Sequence, residues 1–115
     1  MPKSEKTYSE SELQELLGSL PGWHFAEGQI RRTYVTDGWR TTLMVVNAIG
    51  FVAEAADHHP DLMVSWGRLT VGLNTHSAGG ITDKDIALAR EIERTVLWRP
   101  DNALTGRSDQ WIRGA

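Results

Sequence analysis

The chain has 115 residues, of which 40% are hydrophobic and 23% charged, and its formal net charge is −3. This length suits a single domain, no apolar run approaches the roughly 20 residues that span a membrane, and the scattered basic residues give no attraction to phosphate backbones. The absence of cysteine excludes disulfides and thiolate chemistry, and the charged N-terminus does not resemble a secretory signal, so we expect a cytoplasmic protein with neither membrane nor nucleic-acid partners.

The first half of the chain predicts a short helix, a hairpin and a long helix. Ser9 and Glu12 have the spacing of a capping box and begin the short helix. Two β-prone runs flank Glu27-Gly28, which is typical of a hairpin turn. From Asp37 onward, apolar residues recur at steps of three and four, the helical period, and this pattern ends at a pair of histidines.

The second half predicts another hairpin and a last helix. Alternating apolar residues after Pro60 pair across a Gly67-Arg68 turn. Thr82 begins a helix that turns its apolar side inward and stops before Pro100. The order helix, strand, strand, helix, strand, strand, helix predicts an α+β fold, in which a four-stranded antiparallel sheet has three helices packed on one face.

We expect residues 1–99 to form the domain and residues 100–115 to form an irregular C-terminal extension. Trp98 and Trp111 lie among turn-forming residues, so the tail either docks these aromatic side chains on its own subunit or contacts a protein partner. A small domain whose sheet has a bare face or edge often completes itself by oligomerising, which predicts a homodimer or homotetramer.

Three of the four histidines lie near the two ends of the second hairpin. His58 and His59 precede it in the stretch "EAADHHPDLM", and His76 follows it. Strand pairing would bring these ends within about 5 Å of each other, and a cluster of imidazoles suits a reaction that needs an acid and a base together. Glu54, four residues before His58, would share a helix face with it, and Pro60 would end the helix.

Simpler explanations of these residues stay open at this point. A histidine at a helix end stabilises the helix dipole by about 0.3–1 kcal/mol, which explains one ring but not three. Three histidines can also ligate a catalytic zinc ion, although adjacent histidines in an extended chain point apart. Asp85 has the spacing of a capping residue for Thr82, and neither Ser65 nor Ser77 lies in the strand–turn–helix elbow of a serine hydrolase.

The stretch "EAADHHP", then Trp66, then "THSAGGITDKDIALA" closely resembles the signature of the pterin-4a-carbinolamine dehydratases. The fit runs without a gap from Glu54 to Ala89, and the order of helices and hairpins before it also agrees. The resemblance implies dehydration of 4a-hydroxytetrahydropterin to quinonoid dihydropterin, in the recycling of a tetrahydrobiopterin-type cofactor. It implies no metal and no cofactor held by the protein itself.

The resemblance also implies a role for each residue of the signature. The three histidines would be catalytic, and Glu54 would be an assisting carboxylate. Pro60 and Asp85 would have structural or assisting roles. The pterin would be bound by two segments, formed by Asp57, His58 and His59 and by Asn74, Thr75, His76 and Ser77.

A different class of function competes with the enzyme. The family also resembles proteins that use the same fold without catalysis, namely coactivators that bind a transcription factor and assembly factors for RuBisCO that have lost catalytic histidines. This chain keeps all three histidines, which favours the enzyme. A binding role could coexist with it, and the C-terminal tail with its tryptophans is the candidate surface for a protein partner.

Overall fold

Helices and antiparallel strands alternate along the chain in the predicted order. The computed structural model describes residues 6–101, 103–107 and 110–115, so residues 1–5 of the predicted domain and residues 102, 108 and 109 of the predicted extension lie outside the described part. The α+β prediction is confirmed. The elements are α1 Glu10–Leu17, β1 His24–Ala26, β2 Gln29–Thr36, α2 Trp39–Ala56, β3 Asp61–Val64, β4 Arg68–Leu73, a 3₁₀ turn His76–Ala78, α3 Asp83–Val96 and β5 Ile112–Gly114.

Local sequence signals explain where the helices begin and how the first hairpin turns. Helices α1 and α3 start with complete capping boxes, built on Ser9 and on Thr82. Glu27 and Gly28 both have left-handed backbone, with φ of 52° and 77°, as a two-residue hairpin turn requires. In the second hairpin, the Ser65 N–H bonds to the Arg68 carbonyl at 2.9 Å, so the turn residues are 66 and 67 and the predicted Gly67-Arg68 turn is one residue off.

One face of the sheet is packed against the helices and the other is open. The strand order is β1-β2-β4-β3, with every pairing antiparallel. Every second residue of β2 is buried and the residues between them are half-buried, so the strand has one covered face. The core lies between that face and the helices. Its fully buried side chains include Ile30, Tyr34, Ile49, Leu69, Leu73 and Ile92.

An ion pair between the buried Arg32 and the partly buried Glu93 lies on this covered face. The Arg32 guanidinium donates to both carboxylate oxygens of Glu93 at 3.0 Å, and the Tyr34 hydroxyl and the Trp23 indole N–H donate to Oε1 at 2.7 and 3.0 Å. Burial alone would raise the pKa of Glu93, but the hydrogen bonds from Arg32 and Tyr34 hold it below its ordinary value. Burial and the bond to Glu93 raise the pKa of the Tyr34 hydroxyl. Glu93 is therefore a charged carboxylate that ties α3 to β2.

The C-terminal extension adds a fifth strand to a sheet predicted to have four. Strand β1 pairs only with Gln29, Ile30 and Arg31, which leaves that edge of β2 free beyond them, and β5 pairs there with Tyr34–Thr36. The extension is therefore not irregular over Ile112–Gly114. Trp111 is half-buried against the core and lies 4.6 Å below the Arg107 guanidinium.

Trp98 does not dock as predicted. The residue is 58% exposed and follows the end of α3 at Val96. The predicted docking on the subunit's own surface is thus met by Trp111 alone. No helix in the described part of the chain is long and apolar enough to cross a membrane.

Candidate active site

The end of α2 sets the position of the histidine pair. Asp57 has left-handed backbone (φ 50°, ψ 42°), its N–H bonds to the Glu54 carbonyl, and the His58 N–H bonds to the Ala53 carbonyl at 3.1 Å. This is the Schellman arrangement that closes a helix. The helix ends where the histidine pair begins, as predicted, but Pro60 is not what ends it, because the left-handed residue already turns the chain three positions earlier.

A single buried carboxylate joins the two segments that the sequence predicts to converge. Asp85 is completely buried, and its Oδ1 lies 2.6 Å from Nε2 of His58. Its Oδ2 accepts hydrogen bonds from the Thr75 hydroxyl at 2.8 Å and from the Thr82 N–H at 2.9 Å. The end of α2, the end of β4 and the start of α3 are therefore held together at one side chain.

The contact with His58 gives Asp85 more than its predicted capping role. The spacing of Thr82 and Asp85 indicates the capping box, which the structure contains. Nothing in the local sequence indicates the bond to His58, because the two residues lie 27 positions apart. Thr75 makes a second long-range contact, because its hydroxyl oxygen is 2.8 Å from the hydroxyl oxygen of Thr82.

Glu54 contacts His59 and not His58. Its Oε1 lies 2.8 Å from Nε2 of His59, and both side chains face solvent, with 82% of Glu54 and 57% of His59 exposed. The predicted sharing of a helix face with His58 assumed that α2 continues to position 58. Because the helix ends at Ala56, the four-residue spacing no longer brings Glu54 beside His58.

His76 is presented by a short closed loop. Thr75 is buried and its N–H bonds to the Gly80 carbonyl at 2.9 Å, which closes residues 75–80 into a compact turn. His76 and Ser77 are exposed on that turn, and Asn74 before it is half-buried. Since Thr75 also binds Asp85, the loop that carries His76 is anchored to the same carboxylate as His58.

The contact with Asp85 distinguishes the two ring nitrogens of His58. A carboxylate only accepts hydrogen bonds, so an ionised Asp85 takes the Nε2–H of His58, and Nδ1 is the ring nitrogen that is not bonded to Asp85. The other two imidazoles, of His59 and His76, are exposed on the two segments that Asp85 joins. No three histidine or acidic residues of the described part are grouped so that they could hold a metal ion, so the zinc alternative has no ligand set there.

A groove of about 690 Å³ runs between α2 and α3 and has His58 at its wall. Most of its lining is apolar, from Phe51, Val52, Ala55, Ala87 and Leu88. This volume is within the range of small-molecule sites. His58 alone among the predicted pterin-binding residues lines the groove, so most of its surface is separate from the histidine site.

The chain is similar to proteins of one family. The family model described as pterin 4 alpha carbinolamine dehydratase matches residues 6–95. An Aquifex aeolicus protein named "Putative pterin-4-alpha-carbinolamine dehydratase" is 49% identical over 88 residues, which cover 76% of this chain and 89% of that protein. A Roseiflexus protein with the same name is 41% identical and is matched over 95% of its length.

A solved structure also superposes on the chain. The crystal structure of a "transcriptional coactivator/pterin dehydratase" from Brucella melitensis has a TM-score of 0.73 and 33% sequence identity, and the match covers 78% of this chain and 98% of that one. The family match ends at residue 95, before the extension and its strand β5.

Proposed function

The chain belongs to the pterin 4 alpha carbinolamine dehydratase family, and from that premise we propose that it dehydrates a 4a-hydroxytetrahydropterin to the quinonoid dihydropterin. The reaction breaks the C4a–O bond, forms the C4a=N5 double bond and releases water. One proton must reach the departing oxygen and one must leave N5. The protein therefore needs proton donors and acceptors close to two neighbouring atoms of a flat ring.

The observation that carries the proposal is the bond between His58 and the buried Asp85. A carboxylate that accepts from one imidazole nitrogen fixes the orientation of the ring and leaves the other nitrogen to the substrate. His58 is only 13% exposed, so its ring has little freedom to turn away. In this proposal, His58 reacts as the imidazolium: it gives its Nδ1 proton to the C4a hydroxyl as it departs and keeps its Nε2–H on Asp85, which is a positioning residue.

The other two histidines complete the proton transfers. His76, held on the closed loop after Thr75, is the general acid in place of His58 when the hydroxyl departs from the opposite face of the ring. His59 positions the pterin and helps to remove the N5 proton, assisted by its contact with Glu54. Asp57 and the segment Asn74–Ser77 line the pterin pocket, the latter partly through backbone groups.

The biological setting is part of the same proposal. Quinonoid dihydropterin is the form from which a tetrahydropterin cofactor can be regenerated, so the reaction fits tetrahydrobiopterin-type recycling. We propose that the protein is cytoplasmic. We also propose that it is a homodimer or homotetramer, because Met44 and Phe51 of α2 and Met63 of β3 are large apolar side chains left exposed.

A non-catalytic binding role is the second candidate. It is favoured by the name of the Brucella melitensis structure, which describes that protein as a transcriptional coactivator as well as a dehydratase. In this chain the partner would bind the exposed apolar side chains of α2 or the C-terminal extension. The histidine site would then be unused.

A stopped-flow assay on freshly generated 4a-hydroxytetrahydropterin distinguishes the two. We expect the wild type to accelerate dehydration above the spontaneous rate, and His58→Ala and His76→Ala each to lose about 10²–10⁴ of that acceleration. His24→Ala is the matched control, because His24 lies in β1, outside the site, and should keep full activity. A folded wild-type protein with no acceleration would support the binding role and overturn the dehydratase proposal.

A further inference from the structure

A row of polar residues crosses three strands on the face of the sheet that the helices leave open. Arg31 of β2 and Asp61 of β3 are both register partners of Gly72 in β4. The side-chain amide of Gln29 lies over the glycine, donates to Oδ2 of Asp61 at 2.8 Å and accepts from Nε of Arg31 at 3.0 Å. We call Gln29, Arg31 and Asp61 the polar row.

Gly72 makes this arrangement possible. A Cβ atom at position 72 would come within 2.5 Å of Oε1 of Gln29, so any other residue would displace the amide. A depression of about 150 Å³ lies beside the glycine, and the polar row borders it together with Met63 and Thr70. Among the described residues, no donor is hydrogen bonded to Oδ1 of Asp61.

The depression adjoins the proposed pterin site on two strands. Asp61 lies two residues after His59, and Gly72 lies two residues before Asn74. Two residues of extended chain span at most about 7 Å between Cα atoms. Both borders of the depression are therefore within that distance of residues that the proposed function assigns to pterin binding.

The structure of the pterin ring indicates which part of the substrate would lie near the polar row. In a pterin, the carbon that carries the side chain, C6, is bonded to N5, one of the two reacting atoms. A three-carbon side chain extends about 4 Å from C6. A ring whose N5 is served by the histidines therefore has its side chain within a few ångströms of them, and Asp61 of the polar row is two residues along the chain from His59.

We propose that the polar row is a specificity subsite that binds the hydroxyl groups of a polyol side chain at C6 of the substrate. The inference rests on the proposed function. Oδ1 of Asp61 accepts a hydrogen bond from one hydroxyl, and the Gln29 amide and the Arg31 guanidinium supply donors to the hydroxyl oxygens. The preferred substrate is then a pterin with a hydroxylated three-carbon chain and not one with a methyl group at C6.

Paired ligands test this subsite. Binding is measured by quenching of intrinsic tryptophan fluorescence with 7,8-dihydrobiopterin and with 6-methyl-7,8-dihydropterin, which share the ring and differ at C6. The wild type should bind the hydroxylated ligand about fivefold to tenfold more tightly. Asp61→Asn, and independently Gln29→Ala, should remove this preference while leaving the affinity for the methyl ligand within about twofold. Glu15→Gln, which removes an exposed carboxylate from α1, is the matched control.

Kinetics with the corresponding 4a-hydroxytetrahydropterins provide a second readout. The two variants should raise KM for the polyol substrate and keep kcat, since the subsite binds a part of the molecule that does not react. If the wild type binds both ligands equally, or if the variants weaken both equally, the polar row is a cross-strand structural feature and the subsite is wrong. If the wild type binds neither ligand, the proposed function fails together with the subsite.

Discussion

Two carboxylates on α3, the buried Asp85 and the partly buried Glu93, resemble each other in accepting several hydrogen bonds and differ in their donors. They lie eight residues apart on one helix, about 12 Å along its axis, and each accepts several hydrogen bonds from other elements. The donors to Glu93 are Trp23, Arg32 and Tyr34, which are enclosed in the covered face of the sheet.

Asp85 differs in one donor. His58 has a second ring nitrogen, and His59 and His76, on the two segments that Asp85 joins, are exposed. A carboxylate that accepts hydrogen bonds only from buried side chains can stabilise the fold but has no route to a substrate. A carboxylate whose donor can pass a proton onward can serve a reaction. Replacing each acid by its amide therefore distinguishes the region around Asp85, which we propose serves catalysis, from the region around Glu93, which stabilises the fold.

Asp85→Asn should have the largest effect, and on catalysis. The amide NH₂ group must face either His58 or the Thr75 and Thr82 donors, so one of these contacts is lost and the imidazole is no longer held. We expect kcat for dehydration to fall about 10²-fold, equivalent to about 3 kcal/mol, with KM changed much less. Rapid mixing with 4a-hydroxytetrahydropterin measures this, and circular dichroism checks the fold. Unchanged kcat in a folded variant would show that Asp85 is only a helix cap.

Glu93→Gln should act on stability and spare catalysis. It leaves the Arg32 guanidinium, which is 8% exposed, without its charged partner. Breaking a buried ion pair typically costs about 3–5 kcal/mol, and because Glu93 is partly exposed we expect about 2–3 kcal/mol. Urea unfolding at pH 7 measures the loss. At a temperature where the variant is folded, kcat should equal that of the wild type, and a large fall would contradict the separation of the two regions.

The pH dependence of stability should change in the same variant. The pKa of Glu93 is lower in the folded protein than in the unfolded chain, so its carboxylate stabilises the fold above the unfolded value, about 4.3, and this contribution disappears as pH falls through the folded value. Melting temperatures between pH 7 and pH 3 should therefore fall more steeply for the wild type than for Glu93→Gln. The two curves should converge at the acid end. Parallel curves across this range would show that Glu93 carries no such linkage.

Removing residues 100–115 tests whether the extension belongs to the structural region. The cut removes β5, the burial of Ile112 and a contact from the Ala115 carbonyl to Arg32, so we expect a loss of about 2 kcal/mol. Trp98→Ala, which removes an exposed aromatic side chain, should change stability by less than about 0.5 kcal/mol. Dehydratase activity should stay the same. A truncated protein with wild-type stability would contradict the docking of Trp111 and β5.

The parts that the sequence predicted are those governed by neighbours along the chain. The capping boxes at Ser9 and Thr82, the turn at Glu27-Gly28 and the alternation of β2 depend on residues a few positions apart, and the structure contains all of them. Strand pairing also indicated that the ends of the second hairpin lie together. The resemblance to the family then supplied the residues of the site.

The parts that it did not predict depend on contacts between distant residues. The end of α2 is set by Asp57 in a left-handed conformation. Asparagine and aspartate tolerate this conformation, but their presence in a sequence does not predict it. Because of this turn, Glu54 contacts His59 and not His58 as predicted, and His58 contacts Asp85. Likewise, β5 forms because β1 is short, which is a property of another strand and not of the tail.

Glu54→Gln should have the smallest effect, and it tests burial as the reason for the difference between the acids. Glu54 and Asp85 each contact one histidine at a similar distance, but the Glu54 pair is mostly exposed and so is screened by water and salt. We expect kcat to fall no more than about threefold, and the difference from wild type to shrink further in 0.5 M salt. The rapid-mixing assay at two salt concentrations measures both. If Glu54→Gln loses as much activity as Asp85→Asn, then contact with a catalytic imidazole matters and burial of the carboxylate does not.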